Sequence, residues 1–302
     1  METFLKLQGQ MQANQIVFGI YFFLLGMCIA SFLNVVILRF PKINDREEAE
    51  AVKEWLEDKG ETFPEKLTTM LSPISLSFPR SFCFSCKTQL KWYHNIPLFS
   101  WLFLRGKCAY CKSKISIQYP LIEVFGGLAT LYLFNQFIDI GLMQFLIVTT
   151  FFFLCYAMFG IDWTVYTLPD NMTLPAMWLG FIAALSGYGL NGITIEKALY
   201  GAIAGYLLCF VIGFVGKIVF KKEALGGGDY KLLAAVGAFT GITGAFFTFF
   251  AGALVGLVIV IIRKAMKIEE GHTPFGPALI ITAFIWILFQ ECVLKYIPIP
   301  LY

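Results

Sequence analysis

The residues with the clearest chemistry are four cysteines. Cys83 and Cys86 form one CxxC, Cys108 and Cys111 form a second, and 21 residues separate the two pairs. Two such knuckles can close four soft thiolates into a tetrahedron. That geometry suits zinc and leaves no coordination position for substrate or a catalytic water. The expected role is therefore structural: a polar loop with few long apolar runs lacks a core, and metal binding supplies the missing folding free energy. Disulfides or redox pairs are the alternatives; a reducing cytosol disfavours the first, and the second needs a thioredoxin-like surround that the sequence lacks. Cys28, Cys155, Cys209 and Cys292 lie in or beside apolar runs and read as small buried hydrophobes. With His94 and His272 the only histidines, a histidine-rich metal centre or a His-based triad has little support.

Carboxylates at the edges of apolar segments come next, because ionisable groups there are costly and often functional. Asp162 closes one such segment, Asp170 follows in DWTVYTLPD, and Asp229 follows three glycines in LGGGDYK. Asp162 and Asp229 lie 67 positions apart in sequence, so only packed helices could bring them together. Two carboxylates in one site do not readily ionise together, which leaves one as acid and one as base, an arrangement that hydrolyses peptides. Gly226 to Gly228 would admit a close backbone approach. The bland alternatives are that Asp170 and Asp229 cap helices and that Asp162 pairs with Lys231.

The elements that must hold these groups are membrane helices. The chain has 302 residues, 58% hydrophobic and 14% charged, with 32 phenylalanines, which a soluble core of this size could not absorb. Its net charge of +3 shows no basic excess, and no nucleic-acid role is expected. Apolar runs cover 16–38, 121–136, 143–161, 173–186 and 198–216. A further run over 232–262 is too long for one span and predicts a hairpin near Thr248–Gly252, and 277–288 begins the last span. The expected fold is an all-α polytopic membrane protein of about eight transmembrane helices with a small cytoplasmic zinc-binding loop domain. Residues 1–38 form the N-terminal segment and first span, 39–119 the cytoplasmic cysteine domain, and 120–302 the membrane domain. With 39–119 inside, 20 of 23 basic residues fall on the cytoplasmic side and both termini lie outside. Asp45–Glu65 predicts one short charged surface helix, and no tandem repeat is evident.

In combination these segments resemble the bacterial type IV prepilin leader peptidase/N-methyltransferase family, over almost the whole chain. The resemblance is carried by GMCIASFLNVVILRFP (26–41), CFSC and the run 92–123, IDWTVYTLPDNMTLP (161–175), GGGDYK (226–231) and PFGP (274–277). It implies peptide hydrolysis by Asp162 and Asp229, with Gly226 and Gly228 in the GxGD-like motif, and with Asp170, Lys231 and Asn34 as supporting or substrate-binding positions. It also implies cleavage of type IV prepilins or pseudopilins after a glycine at the cytoplasmic face of the inner membrane. Methylation of the new N-terminus by S-adenosylmethionine would follow. For that step the resemblance directs attention to Arg105, Gly106 and Glu123, although no nucleotide fold or GxGxxG loop is present. The competing readings are a transporter or scaffold with a structural zinc domain, and a peptidase without methyltransferase activity.

Overall fold

The computed structural model describes residues 2–221, 225–266 and 273–296, and His272 lies outside them. Among the described residues the chain is helical with no sheet, only two isolated bridges, and five helices are long and apolar enough to cross a membrane. It divides into two compact units, 1–139 and 140–302. The division falls one helix later than the boundary expected at 119/120.

In the first unit, α1 (Glu2–Ala13) precedes α2 (Gln15–Asp58), a 44-residue helix. At 1.5 Å per residue α2 is about 66 Å long, twice what the hydrocarbon core requires. The charged stretch from Asp45 is therefore its continuation and not the separate surface helix expected, and Pro41 lies inside it. Arginines on either side of Pro41 hold the extended chain beside the helix. Arg39 donates to the carbonyls of Ser75 (2.8 Å), Leu76 (3.1 Å) and Pro79 (2.6 Å), and Arg46 donates to that of Ile74 (3.0 Å). After the short helix α3 (Phe99–Phe103), α4 (Gln118–Phe137) returns along the apolar half of α2. Small residues permit a close crossing: a Cβ on Gly126 would collide with that of Ala30, and one on Gly26 would stand 2.8 Å from the Gly126 carbonyl.

The second unit contains α5 (Leu142–Val165), α6 (Asp170–Leu185), α7 (Ile195–Phe220), α8 (Gly227–Ala265) and α9 (Gly276–Tyr296). The reversal expected near Thr248–Gly252 occurs instead at Gly241, whose φ of 70° and ψ of −172° interrupt α8, while Thr248–Gly252 is regular helix. Contacts show that the chain folds back. Gly241 shares a cavity wall with Trp286 and Gln290 late in α9, whereas Gly256 faces Phe275 and Ala278 at the start of α9. The position was misread because an unbroken apolar run carries no turn signal and because glycine, which adopts positive φ without strain, recurs throughout it.

The first arm of α8, up to Thr240, is about 21 Å long, short of a full hydrocarbon core. It need not meet lipid, since every residue from Leu232 to Gly241 is buried. The glycines of α7 form its seat. Gly201 meets Gly237, Gly205 meets Leu233 and Gly213 meets Tyr230, so α7 runs antiparallel to this arm, and on α6 Gly180 meets Ala238. This core helix presents Asp229 at its N-terminal end. Of the scattered cysteines, Cys155 and Cys209 are buried as expected, but Cys28 and Cys292 are exposed on helix surfaces.

Candidate active site

Asp162 lies in the last turn of α5 and Asp229 in the first turn of α8. Their residues are 4% and 8% exposed, and the carboxylates stand within electrostatic reach of each other. Each is fixed by one backbone amide. The Gly276 N–H donates to Asp162 Oδ2 (3.1 Å) and the Gly226 N–H to Asp229 Oδ2 (3.0 Å). The other oxygen of each acid has no hydrogen bond to a described residue. Asp229 thus caps its own helix, as the bland reading held, and still turns an oxygen to the site.

Leu168, in the connection between α5 and α6, ties the two acids together. A Cβ on Gly228, beside Asp229, would lie 2.7 Å from Leu168 Cβ. On Gly276 it would lie 2.6 Å from Asp162 Oδ2 and 3.1 Å from Leu168 Cδ1. These glycines let two helix starts close around one leucine and two carboxylates. The triple glycine therefore has three roles: Gly226 supplies an amide to Asp229, Gly228 packs on Leu168, and Gly227 faces open space. Gly276 and Leu168 were not singled out from the sequence. PFGP was recognised as a motif, but nothing in its spacing says that its amide reaches a carboxylate 114 residues away.

The pairing of Asp162 with Lys231 does not occur. Lys231 Nζ is held by both oxygens of Asp170, at 2.6 and 2.7 Å. The catalytic candidates are thus left without a cationic partner among the described residues. At the same end of the unit, Arg263 donates to the Tyr166 hydroxyl at 3.1 Å.

The four cysteines converge as the spacing requires, with all four sulfurs within 4.8 Å of one another. Zinc–sulfur bonds of about 2.3 Å in a tetrahedron need sulfurs about 3.8 Å apart. Cys83 and Cys111 stand at 3.8 Å. The two knuckles are copies. In one, Lys87 N donates to Cys83 O, Cys83 N to Thr88 O and Leu90 N to Ser81 O; in the other, Lys112 N donates to Cys108 O, Cys108 N to Ser113 O and Ile115 N to Gly106 O. Lys87 and Lys112 both take positive φ, 58° and 60°. The duplication of 81–90 as 106–115 is not evident as a tandem repeat in the sequence because the copies share only the cysteines and the following lysine. Backbone amides from Cys86, then the Ser113 hydroxyl, draw the Cys83 thiol down to about 6, and Ser113 likewise lowers Cys111. Burial and the neighbouring Cys83 and Cys111 thiols push Cys108 the other way, so Cys83 and Cys111 are the two of the cluster drawn toward thiolate.

The remaining candidates do not gather into one pocket. Glu123 is 9% exposed and both its oxygens are engaged, accepting from Ser31 Oγ (2.6 Å) and from the Leu98 amide (2.7 Å). Gly106 is buried with φ 67°, and a Cβ there would stand 2.9 Å from the Trp101 ring. Arg105 is exposed beside it with φ 51°. Asn34 is half-buried on α2, one turn beyond Ser31. His94 packs its ring against Tyr93 and Tyr110.

A helical, multi-span membrane protein with a buried carboxylate pair at the end of its helices and a four-thiol centre in a separate unit is the class that these features define. Residues 24–137 match the bacterial peptidase A24 N-terminal domain, and residues 148–261 match the type IV leader peptidase family. The chain belongs to that family. It is 39% identical to a prepilin leader peptidase/N-methyltransferase of Neisseria gonorrhoeae over 279 residues, 88% of this chain and 87% of the relative. It is 35% identical to that of Stutzerimonas stutzeri, covering 92% and 93%, and 33% identical to that of Pseudomonas aeruginosa, covering 95% and 96%. No solved structure matches it significantly.

Proposed function

We propose that this chain is a prepilin leader peptidase and N-methyltransferase whose peptidase chemistry is done by Asp162 and Asp229. The observation that carries the assignment is the pair of buried carboxylates, each anchored through one oxygen by an amide and each with its other oxygen free. With one acid ionised and the other protonated, the ionised member takes a proton from water as that water attacks the scissile carbonyl. The protonated member hydrogen-bonds the carbonyl oxygen, and a proton then passes to the departing amine. Asp170 and Lys231 position the α6 start against the α8 start, and Gly226 and Gly228 set the carboxylate of Asp229.

The substrate is the leader region of a type IV prepilin or pseudopilin, cut after glycine at the cytoplasmic face of the bacterial inner membrane. The weight of basic residues on 39–119 and on the loops joining α7 to α8 and α8 to α9 supports that sidedness, with both termini on the other face. Eight crossings follow if each arm of α8 counts once and the shorter α4 and α6 also span. Cys83, Cys86, Cys108 and Cys111 fit zinc, which would cross-link the two knuckles and stabilise a domain without a core of its own.

For methyl transfer the family implies S-adenosylmethionine as donor, but Arg105, Gly106 and Glu123 do not fit it as a set. Glu123 is spent on Ser31 and Leu98, and Gly106 on Trp101, so Arg105 alone keeps a free functional group for an anionic part of the donor.

The test is direct. Purified protein incubated with a prepilin should shorten it by the leader, with labelled methyl from S-adenosylmethionine appearing on the new N-terminal residue. Cleavage without label would leave a peptidase alone, and neither reaction on any prepilin would overturn the assignment.

A further inference from the structure

At the end of the second unit away from the two aspartates lies a cavity of about 320 Å³. Its floor holds Trp286, which is 1% exposed and whose indole N–H donates to no described residue. A buried tryptophan usually finds an acceptor. Beside it, Gly241 breaks α8, and Ile242 and Thr243, which open the second arm, line the cavity. The first amides of a helical arm have no carbonyl one turn back, and that end carries partial positive charge. At the mouth stands the exposed Lys197, next to Asn191 and Gln290, which are hydrogen-bonded to each other. No acidic residue lines the cavity among the described residues.

A buried indole without a described acceptor and an exposed ammonium group line one space beside the start of the second arm, with no carboxylate in its lining, and together they make a site for an oxyanion. The volume lies at the small end of ligand pockets, roughly 300–1,000 Å³, and suits a headgroup without its chains. Lysine beside the exposed Tyr200 at a helix end is the pattern of a membrane interface, where such an anion is carried by lipid. We propose that this cavity binds the phosphate of an anionic phospholipid headgroup. The proposal does not rest on the aspartate pair.

Native mass spectrometry of the full chain, released from nanodiscs of mixed phosphatidylglycerol and phosphatidylethanolamine, reads the site. Wild type should retain phosphatidylglycerol preferentially. Trp286→Phe, which removes the N–H and keeps most of the ring, and Lys197→Gln should each lower retention by about tenfold, the scale of one charge-assisted hydrogen bond. Lys197→Arg should retain lipid, and unchanged melting temperatures establish that the variants fold. Equal retention by wild type, Trp286→Phe and Lys197→Gln overturns the proposal. So does inorganic phosphate, added to delipidated protein, binding at least as tightly as the lipid.

Discussion

The cysteine centre and the aspartate pair solve opposite problems with charged groups. Four thiolates cluster within 4.8 Å, tolerable once a divalent cation sits among them, and two copied knuckles within 29 residues pre-form the cluster. The two aspartates converge from 67 positions apart, are more buried than every cysteine but Cys108, and have no cationic partner among the described residues, because the nearby Lys231 is taken by Asp170. A group whose every ligand is satisfied is a staple, whereas a buried acid with an open oxygen is poised to exchange a proton. Local backbone geometry builds the first, and helix packing across the second unit builds the other.

The contrast breaks most sharply at the acids. Asp162→Asn and Asp229→Asn preserve shape and the amide contacts at Oδ2 but remove the proton exchange. Each should lower prepilin cleavage by at least about 10²–10⁴-fold, with zinc content unchanged. Cleavage within tenfold of wild type by either folded variant would falsify the dyad. Cys83→Ser should do the reverse. A structural zinc site carries roughly 10–16 kcal/mol of coupled folding free energy, so losing one ligand should deplete bound zinc and expose 79–119 to limited proteolysis. Cleavage by detergent-solubilised protein should fall less than about tenfold. If metal analysis finds zinc fully retained, the four-thiolate assignment is wrong; if cleavage is lost as completely as in Asp162→Asn, the two regions are not separable.

A subtler change sharpens the comparison at the carboxylate pair. Gly276→Ala places a Cβ 2.6 Å from Asp162 Oδ2, closer than real contacts allow. Misplacement of a reacting group by about 1 Å costs on the order of 10²-fold, so kcat for leader removal should drop about 10–100-fold while zinc and thermal stability change little. Equal kinetics in the variant would mean that the Gly276 amide does not position Asp162.

What was legible beforehand follows the same division. The cysteines announce themselves because ligand spacing is a local property, and the apolar runs because a bilayer fixes the length of a span. Asp162 and Asp229 stood out as acids at span edges, but their meeting depends on the glycines of α7 that seat the first arm of α8, a packing fact with no sequence spacing of its own. The turn at Gly241, the amide of Gly276 and the wedge of Leu168 were illegible for the same reason. The length of α2 was illegible because charge ends the stretch that can sit in lipid without ending the helix.

The smallest expected effect separates position from chemistry at Lys231. Its bridge to Asp170 is bidentate and short, but the side chains are 35% and 58% exposed, and exposed pairs contribute about 0–1 kcal/mol. If the pair only joins the starts of α6 and α8, Lys231→Met and Asp170→Asn should each slow cleavage by less than about fivefold, and the double variant should be no slower than either single one. If instead Lys231 acts on the dyad, removing it leaves two acids with no positive charge near them. The Lys231→Met variant would then lose on the order of 10²-fold and shift its pH–rate profile, while Asp170→Asn, which frees the ammonium, would not follow it. Parallel, small and non-additive losses are expected, because the structure gives Lys231 two bonds to Asp170 and none to either buried carboxylate.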